Sequence, residues 1–194
     1  MDKKNLKNKS GEWFLRRQED KLKEFLVPRI PSWLETYHLT CLTLVWSLLI
    51  ILFFYWGRED QIFYFLVPLF VILQYLTDLL DGAVGRYRDT GLVKWGYYAD
   101  HFLDFIFVSS ILFGYGLAVG FTPWLFIVKV VIGAFMVHTF LMVAATDAFR
   151  FSLFNIGPTE GRLIFIVFHW VLVMINIQYF SILLPYLAIG GILA

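Results

Sequence analysis

Apolar residues dominate six stretches of the chain, at about 39–57, 61–87, 93–119, 122–146, 161–178 and 180–194. Each meets or approaches the roughly 20 residues that a helix needs to cross the hydrocarbon core of a bilayer. The sixth is the shortest and is weakened by Gly190 and Gly191. The segment ahead of them, SGEWFLRRQEDKLKEFL at 10–26, has a different rhythm. Ser10 stands at a cap position, and Leu15, Leu22, Phe25 and Leu26 fall near one helical face with charges on the other. That pattern predicts an amphipathic helix lying along the membrane surface, ended by Pro28 and Pro31. Short connectors at 58–60, 120–123 and Gln178 make successive spans antiparallel. The pattern predicts an all-α polytopic membrane protein. A basic N-terminal segment with its surface helix occupies 1–35, and a six-transmembrane-helix bundle occupies 36–194.

Composition narrows the class further. Of 194 residues 59% are hydrophobic and only 16% charged, with a mean hydropathy of +0.70, which excludes an ordinary soluble domain, a coiled coil and a disordered chain. The net charge of +1 conceals a strong asymmetry, since nine of the sixteen Lys and Arg lie in the first thirty residues. A basic segment just before an apolar body fits the anionic inner face of a membrane, and no nucleic-acid partner is expected. With the N-terminus inside, fourteen basic residues are cytoplasmic and only Arg58 is outside, with Lys129 within a span. The lone Cys41 excludes an internal disulfide and a zinc cluster.

Four acids sit where the pattern is apolar: Asp78 and Asp81 before the turn at 87–94, Asp100 and Asp104 after it. A carboxylate inside a bilayer costs at least about 2.5–3.5 kcal/mol on insertion scales, so such groups are kept where they face a polar cavity and a partner. On a helix Asp78 and Asp81 project within about 60° of each other, and Asp100 and Asp104 within about 40°. Because the two helices are read as antiparallel neighbours, the pairs are expected to face each other at similar depth, near the cytoplasmic surface. Like charges at contact distance need counter-charge. An all-oxygen set suits a hard cation, Mg²⁺, Mn²⁺ or Ca²⁺, and two divalent ions would balance four carboxylates in the arrangement that clamps an in-line displacement at phosphorus. Gly82, Gly85 and Gly96, set among the acids, suggest room for a ligand, and Arg86 stands where it can grip a phosphate. Arg88 is read as part of the positive-inside signal, and His101 as a buried hydrogen-bonding residue rather than a metal ligand.

The run DLLDGAVGRYRDTGLVKWGYYADHFLD at 78–104 resembles the signature of the CDP-alcohol phosphotransferase family, D-x-x-D-G-x-x-A-R followed by G-x-x-x-D-x-x-x-D. Asp78, Asp81, Gly82, Arg86, Gly96, Asp100 and Asp104 match it; Gly85 replaces the usual Ala, and the spacer is one residue longer. The resemblance implies a six-helix, usually homodimeric membrane enzyme of phospholipid synthesis that transfers a phospho-group from a CDP-linked donor to an alcohol and releases CMP. It implies metal binding at Asp78, Asp81 and Asp100, and gives Asp104 both a metal-adjacent place and the role of general base. Gly82, Gly85, Arg86 and Gly96 would lie against the CDP moiety. The residues by themselves leave any of the four carboxylates as the base. The runs 100–104 and 157–161 also resemble the choline and ethanolamine phosphotransferase branch, which acts on diacylglycerol; the alternative is phosphatidyl transfer from CDP-diacylglycerol to a small polar alcohol. Thr159 is expected to cap a helix there, and Glu160 and Arg162 to line the acceptor side of the same mouth. An ion or proton transporter is the competing class, but it would place polar residues on both sides of the midplane, whereas these acids cluster toward one face.

Overall fold

The computed structural model describes residues 14–90, 93–146 and 158–193, and these form helices with no strand among them. Helix α1 spans Arg16–Leu26 and runs into a 3-10 turn, Val27–Arg29. It is followed by α2 (Thr36–Trp56), α3 (Ile62–Arg88), α4 (Val93–Val119), α5 (Pro123–Thr146), α6 (Pro158–Ile175) and α7 (Tyr179–Leu193). The expected Ser10 cap lies outside the described residues. Helices α2, α3, α4 and α5 are long and apolar enough to cross a bilayer, the pattern of a multi-pass membrane protein, and α7 is a shorter apolar helix.

The helix ends show why each element starts and stops. Glu35 caps α2 reciprocally: its side chain accepts from the His38 backbone N–H, and its own N–H donates to His38 Nδ1 at 3.0 Å. Helix α3 ends on Asp89 in the left-handed region, φ 53°, a conformation Asp tolerates better than most residues. Thr90 N–H then closes back on the Gly85 carbonyl at 3.1 Å.

Helix α2 is central and packs against both α3 and α4; α6 lies on α3, while α5 lies on α4 and α7. Its buried stripe, Thr36, Thr40, Thr43, Ser47, Ile50 and Phe54, recurs every three or four residues. The small hydroxyl residues occupy one half and allow close helix approach, as expected where lipid removes the hydrophobic drive for association. Gly85 of α3 accommodates Thr36, and Gly114 of α4 accommodates the Phe54 ring. Helices α3 and α4, expected to be direct neighbours, are not a closely packed pair: α2 touches both, and the two approach through side chains. Four like charges oppose a tighter contact, whereas neutral hydroxyls on α2 do not.

A proline sets the outer half of the bundle. Pro68 lies inside α3 and has no N–H to give the Tyr64 carbonyl one turn earlier. His169 of α6 fills that role: its Nε2 lies 2.8 Å from the Tyr64 oxygen, and a carbonyl only accepts, so Nε2 carries the proton. Nδ1 is then the acceptor for the Tyr115 hydroxyl of α4 at 2.7 Å. His169 is fully buried, and both of its ring nitrogens are partnered.

Candidate active site

The four carboxylates of 78–104 converge between the C-terminal half of α3 and the N-terminal half of α4. Asp78 and Asp100 both act electrostatically on Asp81 and on Asp104, so the set forms one cluster. Asp81 is the most enclosed, 7% exposed. Its Oδ1 accepts the Gly82 backbone N–H, and its Oδ2 lies 2.8 Å from Thr40 Oγ1 of α2, which donates because a carboxylate only accepts. Asp78 and Asp104 are partly open, at 20% and 27%.

A cation from a third helix joins them. Arg162 Nη2 donates to Asp78 Oδ2 at 2.9 Å and lies 3.8 Å from Asp104 Oδ1. Its guanidinium also sits over the Tyr75 ring, 5.5 Å from the centroid. Arg162, expected on the acceptor side of the mouth, stands beside the acids and lines a cavity of about 410 Å³. Asp104 and Arg162 form the polar end of that cavity, and Phe107, Ile111, Val128 and Phe165 are among its apolar walls.

The remaining sequence-derived residues are spread around this centre. Arg86 is exposed, couples electrostatically to Asp81, and has its guanidinium nitrogen Nη1 3.3 Å from where a Gly82 side chain would begin. Gly96 faces open space, which leaves room beside Asp100. Gly85 instead meets Thr36, so the missing side chain there serves the α2–α3 approach. Glu160 accepts a hydrogen bond from the Leu15 backbone N–H at 2.8 Å, and Thr159 donates to the buried Glu19 of α1 rather than capping α6. These bonds tie the N-terminal helix to the turn that carries Arg162.

His101 departs from its expected role. Its Nδ1 lies 3.2 Å from Asp100 Oδ2, but neither ring nitrogen makes a hydrogen bond among the described residues; the ring is stacked on Phe140 at 4.2 Å and meets Tyr97 edge-on at 4.3 Å. One ligand atom each from Asp100, His101 and Asp104 lie within 4.8 Å of one another, a spacing that suits a shared cation. The donor set remains dominated by carboxylate oxygen, which fits a hard divalent ion.

Arg88, read as a topological charge, has a structural function. Its Nη1 donates to the Leu34 carbonyl at 2.8 Å, and its Nη2 to those of Ile30 and Pro31 at 3.0 and 2.9 Å; Glu35 lies 3.5 Å away. This clamp fixes the loop ahead of α2, and with it the helix that presents Thr40 to Asp81.

Thr40, Gln74 and Tyr75 are the members of this neighbourhood that sequence reasoning missed. A signal existed for Gln74: it is an amide inside the apolar run FVILQYL, one turn before Asp78.

No curated protein and no solved structure matches the chain. The family model for CDP-alcohol phosphatidyltransferase matches residues 30–192, from the loop clamped by Arg88 to the end of α7. That match takes in the whole carboxylate cluster, Arg162 and the walls of the cavity, and it covers most of the sequence; the chain belongs to the CDP-alcohol phosphatidyltransferase family.

Proposed function

We propose that the chain moves a phospho-group from a CDP-linked donor to an alcohol, with release of CMP, and that the reaction takes place among Asp78, Asp81, Asp100, Asp104 and Arg162. The family implies phospho-transfer from a CDP-alcohol to an acceptor in lipid synthesis. The observation that carries the assignment to this place is the convergence of the four motif carboxylates from two helices on one cluster beside the apolar cavity.

Asp78, Asp81, Asp100 and Asp104 would hold Mg²⁺ or Mn²⁺, two ions balancing their charge. When bound, such ions neutralise the phosphate oxygens and the charge that develops on the leaving group. The chain's own groups do the rest. Arg86, exposed at the mouth, grips the donor's phosphates, and the open space at Gly96 admits the nucleotide. Thr40 and the Gly82 N–H hold Asp81 in a fixed orientation. Arg162 orients Asp78 and Asp104 by its two contacts. Asp104, at the cavity's polar end, receives the proton of the acceptor hydroxyl as its oxygen attacks the phosphorus distal to cytidine; the bond from that phosphorus to the bridging oxygen breaks, and its electron pair leaves with CMP.

The cavity favours a substrate with an apolar chain. Transfer of a phospho-headgroup from a CDP-choline- or CDP-ethanolamine-like donor to diacylglycerol, and phosphatidyl transfer from CDP-diacylglycerol to a small polar alcohol, both include one. The reading also places six spans in the bilayer, the N-terminus and site on the cytoplasmic side, α1 along the anionic surface, and a homodimer as the assembly.

The test is CMP release by the purified protein in lipid nanodiscs, offered each donor with its acceptor class in the presence of Mg²⁺ or Mn²⁺. One pairing is expected to release CMP in step with lipid product. Absence of CMP from every pairing would contradict the proposal.

A further inference from the structure

Gln74 is fully buried, in the middle of an apolar stretch of α3. A buried amide costs on the order of 1–3 kcal/mol unless its hydrogen bonds are made, so its presence calls for a partner. It stands four residues before Asp78 and therefore on the same helical face. Its Nε2 donates to Asp104 Oδ1 at 3.2 Å, across the space between α3 and α4. The carboxylate only accepts, so the NH₂ end of the amide must face it. Gln74 Oε1 has no partner among the described residues. The side chain's one hydrogen bond thus goes to Asp104, the residue at the polar end of the cavity.

Two groups converge on the same oxygen. Arg162, from α6, lies 3.8 Å from the same Oδ1 that Gln74 of α3 reaches, while Oδ2 accepts no hydrogen bond among the described residues. A carboxylate tied through one oxygen presents the other in a defined direction.

We propose that Gln74 is a positioning residue: through its amide N–H it fixes the rotation of the Asp104 carboxylate, so that Oδ2 faces the acceptor hydroxyl. This rests on the reaction assigned above. In that step the acceptor's O–H proton passes to Asp104 Oδ2, the new oxygen–phosphorus bond forms, and the bond to the bridging oxygen breaks with CMP as leaving group. Gln74 touches none of the reacting atoms. It acts on the rate by keeping the acceptor and the carboxylate in line, and small misalignments of this kind cost up to about 10²-fold.

Two variants separate positioning from simple helix packing. Gln74→Met keeps the length and volume and removes the donor. Gln74→Asn keeps the amide but withdraws it by one carbon–carbon bond, about 1.5 Å, out of reach of Asp104. Steady-state CMP release is measured for the full-length wild type and both variants, with CMP affinity by calorimetry and melting temperature alongside. Both variants are expected to lower kcat by about tenfold or more while CMP affinity and the donor KM stay at wild-type values. Gln74→His, which restores an N–H of similar reach, is expected to recover most of the rate. Wild-type kcat in a folded Gln74→Met or Gln74→Asn protein overturns the inference, as does a loss of rate matched by a loss of CMP affinity. Wild-type protein that releases no CMP counts against the reaction itself, whereas normal wild-type turnover with unaffected variants counts against Gln74 alone.

Discussion

Each acid of the cluster is held by different neighbours, and the neighbours decide how it can be used. Asp81 is enclosed and receives the Thr40 hydroxyl and a backbone N–H, so its carboxylate is fixed. Asp78 and Asp104 are more open and share Arg162. Hydrogen bonds to charged groups contribute roughly 1.5–3 kcal/mol, so Thr40→Val, which keeps the shape and removes the hydroxyl, is expected to reduce CMP release by about tenfold or more. Thr40→Ser should retain most of it. An unchanged rate in Thr40→Val, measured by initial velocities at saturating donor, would show that Asp81 does not need this contact. The acids themselves were legible in the sequence, because charge inside an apolar run is costly and their spacing places each pair on one face. Thr40 and Arg162 were not legible as their partners. They lie 41 and 84 residues away from Asp81 and Asp78, on helices whose rotation about their own axes no local pattern fixes.

At the level of the helix, the sequence pattern fixed length better than neighbourhood. The third apolar stretch, read at 93–119, coincides with α4, and the bounds of α2, α3 and α5 lie close to the expected stretches. Which helices pack together follows instead from side-chain size, and so α2, with its small hydroxyl stripe, lies against both acid-bearing helices. Arg88 shows the same limit: as a charge near a helix end it fits a topological signal, yet four backbone carbonyls and Glu35 converge on it. The Pro68 junction gives a direct test of how helices are joined. His169→Leu strands the Tyr64 carbonyl and the Tyr115 hydroxyl and is expected to destabilise the protein by roughly 1–3 kcal/mol. Pro68→Ala gives the Tyr64 carbonyl a helical N–H of its own, and in that background His169→Leu should cost clearly less. The double-mutant cycle is read from equilibrium unfolding in detergent, and equal costs in both backgrounds would contradict this account of the junction.

The whole molecule separates two kinds of surface. Much of its exterior is apolar, with Val130, Ile164 and Met174 among many exposed large side chains, as suits contact with lipid. The polar chemistry is gathered at one end, around the carboxylates, and α1 is tied to that end through Glu19–Thr159 and Leu15–Glu160. That the acids come together was readable from sequence; that Arg162 and an apolar cavity adjoin them required the tertiary structure. The central claim is that acids from α3 and α4 hold divalent cation together, and Mn²⁺ binding followed by electron paramagnetic resonance tests it without depending on turnover. Wild-type protein is expected to sequester Mn²⁺, Asp81→Asn and Asp100→Asn each to lose most of that binding, and Glu59→Gln, in an exposed residue of the connector between α2 and α3, to keep it. Binding that survives both aspartate changes, or that is lost by only one of them, would contradict a site shared between the two helices.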